Sequence, residues 1–292
     1  MNNKFEKFNL NKGIIRSLDN LKYDKPSKVQ EEVIPNLLKG RDVIVKSKTG
    51  SGKTASFAIP IVEMVDIDNN SIQGLIIAPI RELALQIKEE IQNIGRIKKV
   101  RCSVIFGKKL FKEEVAELKQ RVHIVVATPG RIIDHIGRGT IDLSNIKYFI
   151  IDEADKMLNK GFIDDIEYII SKIPKKCCKG MFSATIDENI NIICKNYMKE
   201  PKLIDIKIDN IQVKNQINEY YIKVDKLSRY EVLKDIIYSE CPNSAIIFAN
   251  TINKVDEIYE NMKNDKFLVG KIHGDMSQDK RFFIIKDRKS VV

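Results

Sequence analysis

Short runs of β-branched residues recur along the first two thirds of the chain, and segments with helical apolar spacing lie between them. After one run, for example, Leu83, Ile87, Ile91 and Ile94 share one helix face. Continuous apolar strands alternating with amphipathic helices predict an α/β fold with a parallel sheet buried on both faces. The predicted strands are 43–45, 75–77, 103–106, 123–127 and 148–151.

The segment after the first predicted strand, residues 47–54, reads SKTGSGKT and opens a helix. This is the context required of a P-loop, whose backbone N–H groups surround phosphate oxygens at a helix N-terminus. The ammonium group of Lys53 can reach the β- and γ-phosphates, and the Thr54 hydroxyl can bind Mg²⁺. The residues of this loop that we predict to bind ATP are Thr49, Gly50, Ser51, Gly52, Lys53 and Thr54.

A second group of polar residues, Asp152 and Glu153, follows the predicted strand 148–151. A carboxylate here can hold Mg²⁺ opposite Thr54, and the adjacent Glu153 can orient or deprotonate a water molecule. We therefore predict Lys53, Asp152 and Glu153 as catalytic residues, with Thr54 and Asp152 as Mg²⁺ ligands. The alternative is an acidic helix start that only favours the helix dipole.

Residues 152–155 spell DEAD, and an ordered series of further motifs surrounds them. Over almost its whole length the sequence resembles the DEAD-box ATP-dependent RNA helicase family of superfamily 2. The resemblance implies a P-loop RecA-like sheet with helices on both faces, followed by an incomplete second RecA-like domain. ATP and Mg²⁺ are the implied cofactors.

Two motifs resemble family elements that surround the nucleotide. Residues 23–30, YDKPSKVQ, resemble the Q motif, which implies that Gln30 reads the adenine edge and Tyr23 stacks on its face. Phe5 either supports this motif or belongs to the ordinary core. Residues 183–185 resemble the SAT motif, and the resemblance assigns the coupling of ATP to RNA to Asp155, Ser183 and Thr185.

The resemblance also implies an RNA track that contacts the backbone without reading bases. Two positions depart from the family pattern: Ile80 stands where a threonine is usual, and Lys108 replaces the second glycine of a pair. A solvated charge at a helix start is the alternative for Arg81 and Arg131. The predicted RNA-binding residues are Pro79, Arg81, Gly107, Thr128, Pro129, Arg131, Asn250, Thr251, Gln278 and Arg281.

The polar composition of residues around 205–216 indicates a change of domain. We expect a nucleotide-binding domain at 1–206, a linker at 207–215 and a partial second domain at 216–292. In the second domain we predict strands near 219–224, 244–249 and 267–272. A sheet of only these strands would leave an unpaired edge, so we expect this part to fold poorly by itself.

Charge and cysteine usage agree with a nucleic-acid partner inside the cell. The net charge is +10 and the isoelectric point about 9.2, which favours polyanionic partners such as nucleic acid or an anionic membrane. The alternative is that lysine is simply a common solubilising residue in this lysine- and isoleucine-rich chain. The five cysteines show no zinc spacing and suit a reducing compartment. No apolar signal or spanning segment is found, so we expect a cytoplasmic protein that acts on ribosomal or messenger RNA complexes and not on membranes.

The family's motifs T-D-x-x-A-R-G and H-R-x-G-R-x-x-R are not found in these residues. They carry the arginines that reach the γ-phosphate, so we expect a C-terminally truncated member that binds nucleotide and hydrolyses it poorly. Three alternatives remain: an RNA-dependent ATPase, a non-catalytic nucleotide- and RNA-binding module, or an interrupted reading frame. A DNA helicase is a lesser possibility, testable by exchanging RNA for DNA.

Overall fold

The computed structural model describes residues 4–48, 50–107, 109–206, 218–224, 229–277, 280–281 and 283–284. The chain forms two compact units, Met1–Asn215 and Gln216–Val292. The first unit contains the sheet.

The first unit is built on a seven-stranded, wholly parallel sheet in the order β3-β4-β2-β5-β6-β1-β7. Strands β2 to β5 are buried along their full length, as the continuous apolar runs predicted. The α/β prediction is confirmed. The strands are β1 (Val43–Lys46), β2 (Gly74–Ile77), β3 (Cys102–Ile105), β4 (Ile124–Ala127), β5 (Tyr148–Ile151), β6 (Cys178–Ser183) and β7 (Lys202–Asp205).

Helices cover both faces of this sheet, and several begin at side-chain caps. Ser27 and Gln30 form a capping box at the start of α2, and Asp187 caps α9. Among the described residues, no helix has both the length and the apolar character needed to cross a membrane. The helices of this unit are α1 (Lys12–Asn20), α2 (Lys28–Leu38), α3 (Lys53–Met64), α4 (Arg81–Gly95), α5 (Phe111–Leu118), α6 (Pro129–Gly137), α7 (Ala154–Leu158), α8 (Ile163–Ser171) and α9 (Glu188–Tyr197).

The core lies in two layers, one on each face of the sheet. Alternate side chains of a strand point to opposite faces, so Ile76 packs with helices α1 to α4 while Leu75 and Ile77 pack with α6 to α9. Phe57 of α3 and Phe182 of β6 meet edge to face in the first layer, with ring centroids 5.0 Å apart. The helix that follows the P-loop is thereby fixed to the centre of the sheet.

Two sequence-based expectations differ from the structure. Strands β6 and β7 are not among the five predicted strands, although β6 pairs with β1 and β5, and β7 pairs with β1. In the second unit the segments 219–224, 244–249 and 267–272 are not strands. Apolar residues favour a strand, but a strand forms only when a neighbour takes up its hydrogen bonds, and these described segments have no such neighbour.

The described part of the second unit contains α10 (Arg229–Glu240) and α11 (Ile252–Asn264). Thr251 caps α11 by accepting a hydrogen bond from the Lys254 N–H at 3.3 Å. Aromatic and aliphatic side chains that a sheet would cover remain exposed: Phe248 is 90% exposed and Leu268 fully so. The three predicted segments therefore do not contribute to a core among the described residues.

Candidate functional site

Most predicted functional residues of the first unit follow the carboxyl ends of β1 to β6, whereas Tyr23 and Gln30 come before β1. Because the sheet is parallel, these ends lie along one edge, where open α/β sheets bind their ligands. The loop after β1, the turn after β5 and the turn after β6 are neighbours, since β6 pairs with both β1 and β5. The loops after β2, β3 and β4 form the other half of the same edge.

The P-loop is folded around its own lysine. The Lys53 ammonium group donates hydrogen bonds to the carbonyl oxygens of Ser47 at 2.6 Å and Lys48 at 3.2 Å. The hydroxyl groups of Ser47 and Ser51 lie 3.0 Å apart. Burial lowers the pKa of Lys53, while the nearby carboxylates of Asp152 and Glu153 act in the opposite direction. The ammonium group is therefore held where phosphate oxygens could replace the loop carbonyls.

Gly52 joins the P-loop to α3 in a conformation that requires glycine. Its φ is +90°, and an added Cβ would lie 2.7 Å from the Gln30 side-chain nitrogen. That Gln30 nitrogen donates to the Gly52 carbonyl at 3.3 Å, and the Ser27 hydroxyl donates to the Ser51 carbonyl at 2.9 Å. The segment predicted to read adenine thus contacts the phosphate loop directly.

Tyr23 lies between the core and the fourth helix. Its hydroxyl donates to the Glu90 carboxylate of α4 at 2.6 Å, and its ring stacks on Phe5 with centroids 6.4 Å apart. Burial and the carboxylate of Glu90 together raise the pKa of Tyr23 well above its usual value. Phe5 itself is completely buried, so it belongs to the core and supports the Tyr23 ring by stacking on it.

Asp152 is a buried acid at the end of β5. Its side chain is 3% exposed, and it accepts a hydrogen bond from the Glu153 N–H at 3.0 Å. Burial raises the pKa of Asp152 to about 6, and the Lys53 ammonium group opposes that shift. Glu153 adopts the left-handed conformation at φ 52° and pairs with Lys156 at 2.8 Å. A buried carboxylate in need of a counter-charge suits a divalent cation.

The donor set at this point suits Mg²⁺ in particular. Mg²⁺ binds oxygen ligands and usually takes only one or two from the protein, with water and phosphate supplying the others. Thr54 and Asp152 offer a hydroxyl and a carboxylate of this kind. No cluster of three or more His, Cys, Asp or Glu that could hold a metal by itself occurs among the described residues.

We expect Asp152→Asn to stabilise the protein when metal and nucleotide are absent. The folded-state pKa of about 6 lies above the usual 3.8, so the stabilising effect of the bound proton is complete below pH 4 and is lost as pH rises through 6. Asparagine mimics the protonated acid. The free energy of unfolding of Asp152→Asn at pH 8 should therefore exceed that of the wild type by about 3 kcal/mol.

Urea unfolding in EDTA at pH 5 and pH 8 measures this difference. The exposed Asp24→Asn is the matched control, and it should leave stability unchanged at both values. An Asp152→Asn protein that is less stable than the wild type at pH 8 would contradict the argument.

Asp155 connects the turn after β5 to the turn after β6. Its carboxylate accepts hydrogen bonds from the Thr185 N–H at 3.2 Å and the Thr185 hydroxyl at 3.1 Å, and its own N–H donates to the Ser183 hydroxyl at 3.2 Å. Burial acts to raise the pKa of Asp155, but these hydrogen bonds hold it below its usual value. The three residues predicted to couple the sites are thus in direct contact.

The predicted RNA-binding residues of the first unit also meet. The Arg81 guanidinium carbon, at the start of α4, lies 5.9 Å from the Phe106 ring centroid. A Cβ added to Gly107 would be 3.5 Å from the Nη2 atom of Arg81. Pro79 and Pro129 are buried at the strand ends, whereas Thr128 is half-buried. The Thr128 N–H donates to the Ile105 carbonyl at 3.1 Å, which holds the turn after β4 against the end of β3.

Arg131 differs from the solvated charge that the sequence allowed. Its Nε donates to the Glu114 carboxylate at 2.6 Å and its Nη2 to the Lys109 carbonyl at 2.8 Å. The guanidinium group also lies 4.8 Å from the Phe111 ring centroid. The alternative of a freely solvated charge is wrong for Arg131, because the side chain is 13% exposed and paired internally. That it binds phosphate stays a prediction.

The remaining predicted residues belong to the second unit or lie outside the described residues. Asn250 and Thr251 are exposed before α11, and the Thr251 hydroxyl caps that helix. The Arg281 N–H donates to the Ser277 carbonyl at 3.1 Å. Thr49 and Gln278 lie outside the described residues, as do Lys108 and the predicted linker 207–215. Their proposed roles stay predictions.

Sequence reasoning missed three residues at this edge. Ser27 had a readable signal, because S-x-x-Q before an apolar run is a capping box. Glu90 and Glu114 had none, since each is one of several acidic residues on an amphipathic helix. Their contacts with Tyr23 and Arg131 are made across 67 and 17 residues of chain.

Comparisons with known proteins agree with this arrangement. Residues 27–193 match the family model described as DEAD/DEAH box helicase, and residues 228–290 match the helicase conserved C-terminal domain. The chain is 43% identical to the ATP-dependent RNA helicase DbpA of Bacillus subtilis, covering 98% of this chain and 59% of that protein. It is 39% identical to the DEAD-box ATP-dependent RNA helicase CshA of Geobacillus kaustophilus, covering 98% and 61%.

Solved structures give the same result. A DEAD box protein from the hyperthermophile Methanococcus jannaschii matches with a TM-score of 0.68 and 36% identity, covering 98% of this chain and 78% of that one. S. cerevisiae Dbp5 bound to RNA and ADP BeF3 matches with a TM-score of 0.83 and 28% identity, covering 98% and 73%. The chain spans about three fifths of the length of the curated relatives named above.

Proposed function

Because this chain belongs to the DEAD/DEAH box helicase family, we propose that its protein is an ATP-dependent RNA helicase. It couples the binding and hydrolysis of ATP to the separation of RNA strands. The observation that carries the proposal is the pair of Lys53 and Asp152, a partly buried ammonium group and a buried carboxylate that affect each other's pKa at the carboxyl edge of the sheet. Charges of opposite sign at this position fit a nucleotide phosphate and its metal ion.

Each group of residues at this edge has a role that follows from its chemistry. The P-loop amides and Lys53 bind the phosphates, while Gln30 and Tyr23 place the base. Mg²⁺ held by Thr54 and Asp152 would neutralise phosphate charge. Glu153 accepts a proton from, or orients, the attacking water. When ATP is converted to ADP, the turn after β5 shifts, and Asp155 transmits this shift to the turn after β6 through its hydrogen bonds with Ser183 and Thr185.

RNA is held at the other half of the same edge. Arg81, the Gly107 loop and the Thr128–Pro129 turn offer charge and backbone amides to phosphates, which fixes a strand without reading its sequence. Relatives named above include an RNA-bound Dbp5 structure, which supports RNA as the partner. We propose that the whole protein acts on ribosomal or messenger RNA complexes in the cytoplasm.

The isolated 292-residue polypeptide is proposed to bind Mg²⁺ and nucleotide but to turn ATP over slowly, because the two arginine motifs of the family are not in its sequence. A nucleotide- and RNA-binding module is the second candidate for this polypeptide. The direct contact between the coupling residues favours the motor lineage, since a passive module has no need to transmit nucleotide state.

The test is a calorimetric titration of the polypeptide with ADP in the presence of Mg²⁺, followed by an ATP turnover assay with and without RNA. We expect nucleotide binding, tightened by Mg²⁺, and little turnover. RNA-stimulated turnover would contradict the expected slow hydrolysis by these residues. Properly folded protein that binds no nucleotide at millimolar concentration would reject the proposed function.

A further inference from the structure

A completely buried carboxylate lies between the two loops of the proposed RNA track. Glu114 of α5 is 0% exposed, yet Lys112 and Glu113, which precede it on the helix, are exposed. A carboxylate removed from water destabilises a fold unless hydrogen bonds and opposite charge compensate for the lost hydration. The contacts of Glu114 therefore indicate what this residue holds together.

The two oxygen atoms of Glu114 reach two different loops. Oε1 accepts the Phe106 N–H at 3.0 Å, directly before the Gly107 turn. Oε2 accepts the Arg131 Nε at 2.6 Å, in the turn that opens α6. Burial acts to raise the pKa of Glu114, but hydrogen bonds from His135, Phe106 and Arg131 hold it below its usual range, so the group is ionised at neutral pH.

His135 completes the cluster from α6. Its Nε2 lies 3.1 Å from Glu114 Oε2 and its Nδ1 lies 2.9 Å from the Thr140 hydroxyl. Since a carboxylate only accepts hydrogen bonds, the Nε2 atom carries a proton. The ring is fully buried and stacks on Phe111 with centroids 4.4 Å apart. Helices α5 and α6 are therefore joined by charge and by stacking.

Arg131 has few donors left for a phosphate in this arrangement. Nε and Nη2 are bonded to Glu114 and to the Lys109 carbonyl, and Nη1 lies 3.7 Å from the Asp134 carboxylate. The guanidinium group thus stabilises the shape of the turn. Its effect on RNA is expected to come chiefly through the position of Thr128, Pro129 and the Gly107 loop.

We propose that Glu114 is a positioning residue for RNA, because its buried carboxylate joins the loop after β3 to the turn after β4 and so aligns both loops for the same strand. This inference rests on the proposed function. It adds Glu114 and its partner His135 to the residues on which RNA affinity depends, although neither is placed to touch RNA.

The experiment compares Glu114→Ala and Glu114→Gln with the exposed neighbour Glu113→Gln as the matched control. Affinity for a short fluorescein-labelled single-stranded RNA is measured by anisotropy with Mg²⁺ and a non-hydrolysable ATP analogue. We expect Glu114→Ala to weaken RNA binding about tenfold and Glu114→Gln about threefold, because glutamine retains some of the hydrogen bonds. Affinity for ADP should stay within about twofold in every variant, since Glu114 lies outside the nucleotide site.

Two further readouts separate positioning from general destabilisation. In a double-mutant cycle, Arg131→Gln should add little to Glu114→Ala, because the two residues act as one unit. The Nε2 signal of His135, one of three histidines, should shift in the nitrogen spectrum of Glu114→Gln, because the partner of its hydrogen bond changes from a carboxylate to an amide. A residue that only fills space would leave that spectrum unchanged.

The outcomes distinguish this inference from the proposed function. Wild-type protein that fails to bind RNA would reject both. Wild-type protein that binds RNA, with Glu114→Gln binding equally well or more tightly, would reject the positioning role alone. If Glu114→Ala does not fold, Glu114→Gln with its unchanged ADP affinity decides the question.

Discussion

Replacement of Lys53 by alanine is expected to weaken binding of ADP with Mg²⁺ at least about a hundredfold, or about 2.7 kcal/mol. The Lys53 ammonium group is already partly desolvated and bonded to the carbonyl oxygens of Ser47 and Lys48. When nucleotide enters, it exchanges those neutral acceptors for charged phosphate oxygens, and charge-assisted hydrogen bonds of this kind are the stronger ones. Alanine leaves the phosphates facing backbone amides alone.

Calorimetry on the 292-residue polypeptide measures the effect, and Lys39→Ala is the matched control. Lys39 is an exposed lysine at the end of α2 and lies outside the phosphate loop. Its replacement should change the affinity less than about twofold, because only weak, screened charge effects reach the site. Equal affinities of Lys53→Ala and the wild type would mean that the loop is not the phosphate site.

The second large effect concerns the core beneath the P-loop. Phe182→Ala should lower the free energy of unfolding of the first unit by about 3–5 kcal/mol, because a large buried ring is replaced by a cavity. Phe182 is 0% exposed in β6 and meets Phe57 of α3 edge to face. Without this contact, α3, the helix that begins at Lys53, also loses packing that holds it against the sheet.

Urea unfolding followed by far-ultraviolet circular dichroism gives the change in stability. Phe248→Ala provides the control, since that ring is 90% exposed and should contribute within about 0.5 kcal/mol. A loss below about 1 kcal/mol for Phe182→Ala would show that the sheet and α3 repack around the cavity.

Much of the first unit could be predicted because its signals are local. The apolar runs, the P-loop and the acidic turn are each contiguous in the sequence, so each can be recognised from its own residues. The structure confirms the parallel sheet and places Asp155 against Ser183 and Thr185. The strands predicted in the second unit were wrong, because the apolar pattern does not tell whether a partner strand is present.

The sequence by itself determined the fold class, the phosphate loop and the set of residues at the carboxyl edge of the sheet, since each depends on neighbours in the chain. Only the tertiary structure decided which groups lose water and which charges meet. The raised pKa of Asp152 and the burial of Glu114 against Arg131 belong to this second kind. Desolvation and ion pairing depend on distances between segments remote in the chain, and no periodicity or spacing records those distances.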